Sequence, residues 1–462
     1  MTSYAELIAR KSAVPPTSGF VVDESDIAPH LFPHQVDLVR WALRRGRAAI
    51  FADTGLGKAA MLLEWARHVM RFGSVLVLAP LAVGHQLERE ARKFGVKARY
   101  VRTVDEFNAD ASNICITNYE RLAAFAERSW AGVVLDESGI LKSYDGRTKQ
   151  RLIDAFATTR YKLACTATPA PNDFTELGNH AEFLGVKSRA EMLAEFFVHD
   201  GGSTQDWRVK GHATVPFWRW VASWGAVVRS PADLGHDDSA YRLPPLDMRE
   251  HVVAATGHDV TATGLLFAMP AQTLAEQRAA RRGTITSRVS KAVELVESGR
   301  QAVIWCELND EQDAIAAALG DRCVSIHGND DDEDKIERHE RWLSGAAQAL
   351  VSKSSIFGFG CNWQHCDHQI FVGPSNSYER TYQAIRRCWR FGQTRPVTID
   401  MVRSDLESEV MANYRRKEAD AARMAAEVSA HASELVRAEV RGLAREWNPY
   451  EPSTPMAVPD WI

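Results

Sequence analysis

Short apolar runs separated by helical patterns dominate the chain between residues 48 and 168. The runs are AAIFAD (48–53), VLVLAP (75–80), NICITN (113–118), GVVLDE (132–137) and KLACTAT (162–168). Continuous apolar runs are typical of strands buried on both faces, and strands that alternate with helices are joined by right-handed crossovers into parallel sheets. The pattern therefore predicts a parallel α/β lobe in this part of the chain.

A second series of the same kind begins near residue 301. Its runs are QAVIWC (301–306), CVSIHG (323–328), QALVSK (348–353), HQIFVG (368–373) and PVTIDMV (396–402). We therefore predict an α/β protein with two tandem parallel-sheet lobes, helical insertions and a C-terminal helix. The predicted segments are an N-terminal extension (1–25), a first lobe (26–173), helical insertions (174–283), a second lobe (284–404) and a C-terminal helix with a proline-containing tail (405–462).

Composition agrees with a large globular protein. At 462 residues the chain exceeds what one hydrophobic core usually supports. The formal charge of −5 excludes a polycation, so any nucleic acid would have to bind a local basic patch. Seven cysteines form no C-x-x-C pair, which predicts a reducing compartment and no structural zinc; Cys361, Cys366 and His368 match no usual ligand spacing. No apolar stretch is long enough for a membrane span, and we expect a soluble, intracellular protein.

The first apolar run leads into ADTGLGK (52–58), a glycine-rich turn that precedes a helical stretch. In such a turn Gly55 and Gly57 let the backbone approach a phosphate, the helix N-terminus attracts the anion, and Lys58 supplies a charge. The next residue departs from the usual pattern, because Ala59 stands where Ser or Thr would present a hydroxyl to Mg²⁺. The turn predicts a nucleoside triphosphate site; the alternative is a glycine-rich turn without a ligand.

The run GVVLDE supplies the acidic pair that such a site requires. At the carboxyl end of a parallel strand, Asp136 would hold Mg²⁺ and Glu137 would polarise the attacking water. The alternative is a solvated Asp-Glu pair at a strand end. Tryptophans at 218, 220 and 224 could stack on bases, but Trp220 and Trp224 share one helical face, which favours packing.

Further motifs follow in a known order. They are LFPHQ (31–35), LAPLAVGHQ (78–86), DES with the following GILKS (136–143), TATPAPND (166–173), LPP (243–245), KSSIFGFGCNW (353–363) and QAIRRCWRFGQ (383–393). In this order, with ADTGLGK, the span from Phe32 to about Val402 resembles superfamily 2 helicases. Within them it resembles the Swi/Snf-like branch of DNA translocases, in the short form found in phages and bacteria.

The resemblance implies two RecA-like lobes that bind ATP and Mg²⁺ and track double-stranded DNA, with single strands as a possible partner. It assigns catalysis to Asp136, Glu137, Lys58 and two arginine fingers, Arg387 and Arg390, with Asp136 as the Mg²⁺ ligand. It assigns ATP binding to Gln35, Thr54, Gly55, Gly57, Lys58 and Gln383. It assigns DNA contacts to Pro80, Asn118, Tyr119, Lys353, Gly358 and Phe359.

The two fingers lie three residues apart, so a helix over residues 377–391 would project both from one face. The alternative is a solvated basic helix. Two other functions stay open: a strand-separating or fork-remodelling helicase, and an ATP-switched DNA-binding or loading module with weak turnover, for which Ala59 is the supporting residue. We expect a cytoplasmic protein of a bacterial or phage-infected cell.

Overall fold

Seven parallel strands form the central sheet of the first lobe. The computed structural model describes residues 18–109, 112–142, 146–170, 173–199, 207–254, 281–357, 362–373, 375 and 377–442. The first strands in chain order are β1 (Arg47–Ala52), β2 (Val75–Ala79), β3 (Ala98–Tyr100), β4 (Ile114–Asn118), β5 (Gly132–Asp136), β6 (Tyr161–Cys165), β7 (Phe197–His199), β8 (Trp207–Val209) and β9 (Gly225–Val228). The sheet has the order β3-β4-β2-β5-β6-β1-β9, and β7 and β8 form a separate antiparallel pair.

Helices cover this sheet and fill the connections between its strands. They are α1 (Pro33–Arg45), α2 (Lys58–Val69), α3 (Leu81–Lys93), α4 (Val104–Asn108), α5 (Leu122–Phe125), α6 (Arg147–Ala155), α7 (Leu177–Leu184), α8 (Arg189–Phe196) and α9 (Thr214–Ala222). Strands β2, β4, β5 and β6 are buried along their whole length. This explains why their sequences are continuously apolar rather than alternating.

The second lobe has a six-stranded sheet, again with every pair of neighbours parallel. Its strands are β10 (Leu246–Val253), β11 (Ala302–Cys306), β12 (Cys323–Ile326), β13 (Ala349–Lys353), β14 (His368–Val372) and β15 (Val397–Ser404), in the order β10-β15-β14-β11-β13-β12. Its helices are α10 (Ile285–Glu294), α11 (Asn309–Leu319), α12 (Asp332–Leu343), α13 (Ser354–Phe357), α14 (Tyr378–Ile385) and α15 (Ser408–Val440). Separate apolar clusters pack on this sheet.

The predicted fold class, two tandem parallel α/β lobes with a C-terminal helix, is confirmed. Each of the ten apolar runs contains a strand. The tryptophans also pack as predicted, since Trp218 and Trp224 are buried in the first-lobe core and the Trp220 ring lies 5.3 Å from that of Trp224.

Residues 174–283, which we expected to be a helical insertion and linker region, also contain strands of both sheets. Strand β9 pairs with β1 and completes the first sheet, while β10 pairs with β15 along its whole length and forms an edge of the second. Sequence reasoning missed β9 because it has only four residues, and β10 because LDMREHVV is an edge strand with many exposed polar positions. The polypeptide between Val228 and Leu246 therefore connects the two sheets.

The C-terminal helix α15 contacts both lobes. It follows β15 of the second lobe and has 33 residues, which corresponds to a length of about 50 Å. Near its end, Val436 and Val440 are buried in the hydrophobic core of the first lobe, and Glu439 forms an ion pair with Arg45 of α1. No helix of the described part of the chain is long and apolar enough to cross a membrane. The proline-containing tail lies outside the described residues.

Candidate nucleotide site and interlobe cleft

The predicted phosphate-binding turn lies between β1 and the N-terminus of α2. Gly55 has a φ of 95° and Gly57 a φ of 80°, values that residues with a side chain rarely adopt. The Nζ of Lys58, the first residue of α2, donates to the carbonyl of Ala52 at 2.8 Å. The backbone N–H groups of a helix start and the ammonium group therefore lie at one end of the sheet, as phosphate binding requires.

Gln35, the predicted base-contact residue, packs directly on this turn. Its Nε2 donates to the carbonyl of Leu56 at 2.9 Å, and its Oε1 accepts from the N–H of Phe32 at 3.0 Å. A Cβ at position 57 would lie only 2.2 Å from Gln35 Nε2. The structure thus brings Gln35, Gly57 and Lys58 together.

The acidic pair stands at the carboxyl end of β5, two strands from β1. Asp136 is buried, and Glu137 has a φ of 51°, the only positive φ of a non-glycine residue in the described part of the chain. Backbone strain of this kind persists where the surrounding structure imposes it and is frequent at active sites. Burial raises the pKa of the Asp136 carboxyl and the neighbouring Glu137 carboxylate raises it further, while Lys58 opposes both effects.

The oxygen donors around this pair fit a magnesium ion. A cation would offset the unfavourable burial of the Asp136 charge, and Mg²⁺ binds through one or two carboxylates while it keeps several waters. Ala59 is half-buried against the first-lobe core and contributes no oxygen. The hydroxyl of Thr54 is buried and has no hydrogen-bond partner among the described residues, whereas that of Thr166 accepts from the N–H of Thr168. Asp136 and Thr54 would therefore be the residues that hold the ion.

The predicted arginine-finger helix ends earlier than expected. Helix α14 stops at Ile385, so Arg387 and Arg390 do not share a helical face, and this part of the prediction is wrong. Beyond Ile385 the N–H groups of Arg387 and Cys388 donate to carbonyls three residues earlier, and the carbonyl of Arg387 accepts from the N–H of Trp363, at 2.9 Å. Arg387 is buried in the second lobe, where its Nε donates to the Gln383 carbonyl at 3.1 Å and its Nη2 to Gln383 Oε1 at 3.2 Å.

Arg387 and Gln383 therefore contact each other in this structure, and Arg390 is half-buried beside Phe391. Phe391 approaches the phosphate-binding turn, since a Cβ on Gly55 would lie 3.2 Å from the Phe391 Cβ. The catalytic and nucleotide-binding roles assigned to Arg387, Arg390 and Gln383 stay predictions.

Three other residues of this segment contact the first lobe. Glu379 of α14 forms an ion pair with Lys142 and accepts from the Thr168 hydroxyl at 3.2 Å. Tyr382 donates its hydroxyl to Asp53 Oδ1 at 2.9 Å, and Arg386 Nη2 lies 3.2 Å from Asp53 Oδ2. Sequence reasoning missed these contacts, although polar residues at positions 379, 382 and 386 recur at helical spacing and so mark one face of α14.

The predicted DNA contacts occupy different environments. Pro80 precedes α3 and lines the space between the lobes, and Lys353 ends β13 in a half-buried position. Asn118 is buried, and its Nδ2 donates to the Tyr100 hydroxyl oxygen at 3.1 Å. The Tyr119 hydroxyl donates to the Asp136 carbonyl at 2.6 Å, although Tyr119 also lines the interlobe space. Gly358 and Phe359 lie outside the described residues.

The space between the lobes is a cleft of about 1770 Å³ that reaches Glu137. Both lobes line it, and its charged side chains are mainly basic. The basic residues are Arg89, Arg92, Arg102, Arg121, Lys142, Arg281, Lys335, Arg380 and Lys417; the acidic ones are Glu88, Glu120, Glu137, Glu307 and Glu379. This is a local basic surface on a chain whose net charge is negative.

Comparisons with known proteins assign the two lobes to two protein families. Residues 34–197 match the SNF2-related domain, and residues 287–392 match the helicase conserved C-terminal domain. The chain is thus homologous to the Swi/Snf-type helicases of superfamily 2.

Individual relatives are much longer than this chain. The Chromodomain-helicase-DNA-binding protein 1-like of Danio rerio is 23% identical in an alignment 428 residues long that covers 80% of this chain and 41% of the relative. Helicase swr-1 of Neurospora crassa is 30% identical in an alignment 178 residues long that covers 34% of this chain and 10% of the relative. Among solved structures, the Sulfolobus solfataricus SWI2/SNF2 ATPase core in complex with dsDNA is 16% identical, with a TM-score of 0.42 over 91% of this chain and 99% of that one.

Proposed function

We propose that the protein is an ATP-dependent translocase or remodeller of double-stranded DNA. The observation that carries the proposal is that the phosphate-binding turn and the end of β5 with Asp136 and Glu137 both meet the second lobe. The turn contacts its finger segment (residues 379–391), and Glu137 lines the cleft together with Glu379 of that segment. An ATP site that both lobes complete couples the nucleotide to the relative position of the lobes. The homology to Swi/Snf-type helicases supports the same function.

The proposed hydrolysis assigns one task to each group. The turn and Lys58 hold the phosphates, Asp136 holds the metal, and Glu137 accepts a proton from the attacking water. When bound, Mg²⁺ neutralises charge on the phosphates. Arg387 and Arg390 would stabilise the charge of the transition state, but Arg387 must first leave Gln383. We infer that the finger segment rearranges when both nucleotide and DNA are bound.

The basic cleft is the proposed DNA-binding surface. Arginine and lysine side chains from both lobes would contact phosphates, which gives affinity without sequence specificity. Pro80, Tyr119 and Lys353 stand at or near the cleft and are the candidates for close backbone contacts. Because the contacts come from both lobes, a change in the lobe arrangement would move one set of contacts along the duplex.

Steady-state ATPase measurements test the proposal. We expect low hydrolysis by the protein alone, strong stimulation by duplex DNA, and loss of this stimulation as salt rises, because phosphate contacts release counterions. The variant Arg92→Glu, which reverses a cleft charge, should raise the DNA concentration for half-maximal stimulation, whereas Arg416→Glu on the exposed face of α15 should not. Equal stimulation by RNA, or none by any nucleic acid, would contradict the translocase.

A strand-separating helicase is the second candidate, and the antiparallel pair β7–β8 is the observation that favours it. This strand pair carries the apolar side chain of Val198 at 37% exposure, and in that function it would be the element that parts the strands of the duplex. A strand-displacement assay separates the two functions, because a translocase would hydrolyse ATP on duplex DNA without releasing a strand. Weak, DNA-independent turnover with tight ATP-dependent DNA binding would instead support the switched DNA-binding module suggested by Ala59.

A further inference from the structure

Arg386 is the second-lobe arginine that reaches the phosphate-binding turn in this structure. Its side chain is 6% exposed, its Nη2 lies 3.2 Å from Asp53 Oδ2, and the same nitrogen donates to the carbonyl of Thr54. Tyr382, one turn earlier, donates its hydroxyl to the other carboxylate oxygen of Asp53 at 2.9 Å. Arg386 is therefore linked to the turn by an ion pair and by a hydrogen bond to the backbone.

Two polar groups at this contact lack partners among the described residues. The Nε of Arg386 and the hydroxyl of Thr54 are both buried, and neither makes a hydrogen bond there. Buried donors without partners are unfavourable, and in native proteins they are frequently the groups that receive a ligand. A guanidinium with a free Nε–H can still donate to a phosphate oxygen through its planar fork.

Asp53 is an unusual neighbour for a phosphate-binding turn, because its carboxylate would repel a triphosphate. In this structure it is stabilised by Arg386, by Tyr382 and by the N–H of Thr54, which donates to Asp53 Oδ1 at 2.6 Å. If the Arg386 guanidinium turned to a phosphate, the Asp53 carboxylate would keep its hydrogen bonds from the Tyr382 hydroxyl and the Thr54 N–H. Both the guanidinium and the carboxylate would then still have a partner.

We propose that Arg386 is the residue through which the second lobe detects the terminal phosphate of bound ATP, and that Asp53 is the anion with which this phosphate competes. The inference rests on the proposed ATP site. ADP lacks the γ-phosphate, which is the terminal phosphate of ATP, so it leaves the Asp53–Arg386 pair in place. When ATP binds, Arg386 leaves Asp53 and contacts the γ-phosphate instead. Glu379 and Tyr382, which lie on one face of α14 and contact the first lobe, transmit this change to the lobe interface.

The test is a double-mutant cycle read by nucleotide affinity. Dissociation constants are measured by fluorescence anisotropy for mant-ADP and for the mant form of the non-hydrolysable analogue AMP-PNP. Arg386→Ala should weaken AMP-PNP binding by about 10- to 100-fold, the effect of losing one charged hydrogen bond, and ADP binding by much less. Asp53→Asn should relieve repulsion of both nucleotides, but in the wild-type background it should tighten AMP-PNP binding more than ADP binding. This excess should disappear when Arg386 is alanine.

Control variants keep the outcomes distinct. Arg386→Lys keeps the charge without the planar fork and should recover only part of the affinity. Arg416→Ala removes an exposed arginine of α15 and should change neither constant. Equal weakening of both nucleotides in Arg386→Ala, or an excess Asp53→Asn gain for AMP-PNP that persists without Arg386, would overturn the inference. If Arg386→Ala does not fold, Asp53→Asn alone decides, because an AMP-PNP gain no larger than the ADP gain contradicts the competition.

The proposed ATP site is tested separately in the same assay. Lys58→Ala should abolish the binding of both nucleotides. Unchanged binding in Lys58→Ala would refute the proposed site, and with it the inference, irrespective of how the Arg386 variants behave.

Discussion

Gly57→Ala should destabilise the first lobe more than an ordinary glycine substitution, because Gly57 is constrained in two ways. Its φ of 80° is left-handed, which costs a residue with a Cβ about 1–2 kcal/mol. The new Cβ would also lie 2.2 Å from Gln35 Nε2, which is buried and bonded to the Leu56 carbonyl. Moving the amide would break this hydrogen bond and leave buried groups unpaired, at a further cost of about 1–3 kcal/mol.

Gly95→Ala is the matched control for the backbone contribution. Gly95 has a φ of 70°, and a Cβ there would meet nothing within 4 Å. Both substitutions remove a glycine from the unfolded chain, so this effect cancels in their difference. The difference should therefore be about 1–3 kcal/mol, the Gln35 contact alone.

Thermal unfolding without nucleotide measures this difference. For a lobe of this size, 1 kcal/mol shifts Tm by about 2–4 °C, so Gly57→Ala should melt roughly 2–12 °C below Gly95→Ala. In a Gln35→Ala background the clash is removed, and Gly57→Ala should then cost no more than Gly95→Ala. Equal Tm values for the two single variants, or no relief in the Gln35→Ala background, would refute the contact between Gln35 and the turn as the cause.

Three further predictions concern catalysis and pH. Arg390→Ala and Glu137→Gln should bind ATP with near-normal affinity but lose most of their turnover, and the loss of an arginine finger should lower turnover by about 10³-fold or more. Normal steady-state turnover in either variant would show that the residue takes no part in the reaction. Ala59→Thr should lower the Mg²⁺ concentration for half-maximal ATPase; an unchanged titration would show that Thr54 already compensates. Burial, helped by the charge of Arg47, lowers the pKa of Lys162 to about 7. The unfolded chain keeps this proton to about pH 10, so the free energy of unfolding should rise from pH 7 to about 10. In urea unfolding, Lys162→Met should flatten this rise with pH, whereas Lys97→Met at an exposed position should not. An equal dependence of the unfolding free energy on pH in both variants would exclude Lys162 as the source of the rise.

The sequence by itself determined the apolar strands of the two sheets and the order of the motifs. A strand buried on both faces must be apolar along its length, so β5 or β11 can be recognised without knowing its neighbours. The position of Lys58 at a helix start and of Asp136 at a strand end follows from the same local patterns. These features depend on residues that are close together in the chain.

The tertiary structure decided everything that depends on a distant partner. Strand β10 is stabilised by β15, and the end of α15 by the first lobe, although neither segment is continuously apolar. The φ of Glu137 and the end of α14 at Ile385 are set by surrounding contacts rather than by local preference. For the same reason the arginine at the phosphate-binding turn is Arg386: the motif placed Arg387 there, but Gln383 holds Arg387 inside the second lobe, and Asp53 lies 333 positions from Arg386 in the chain.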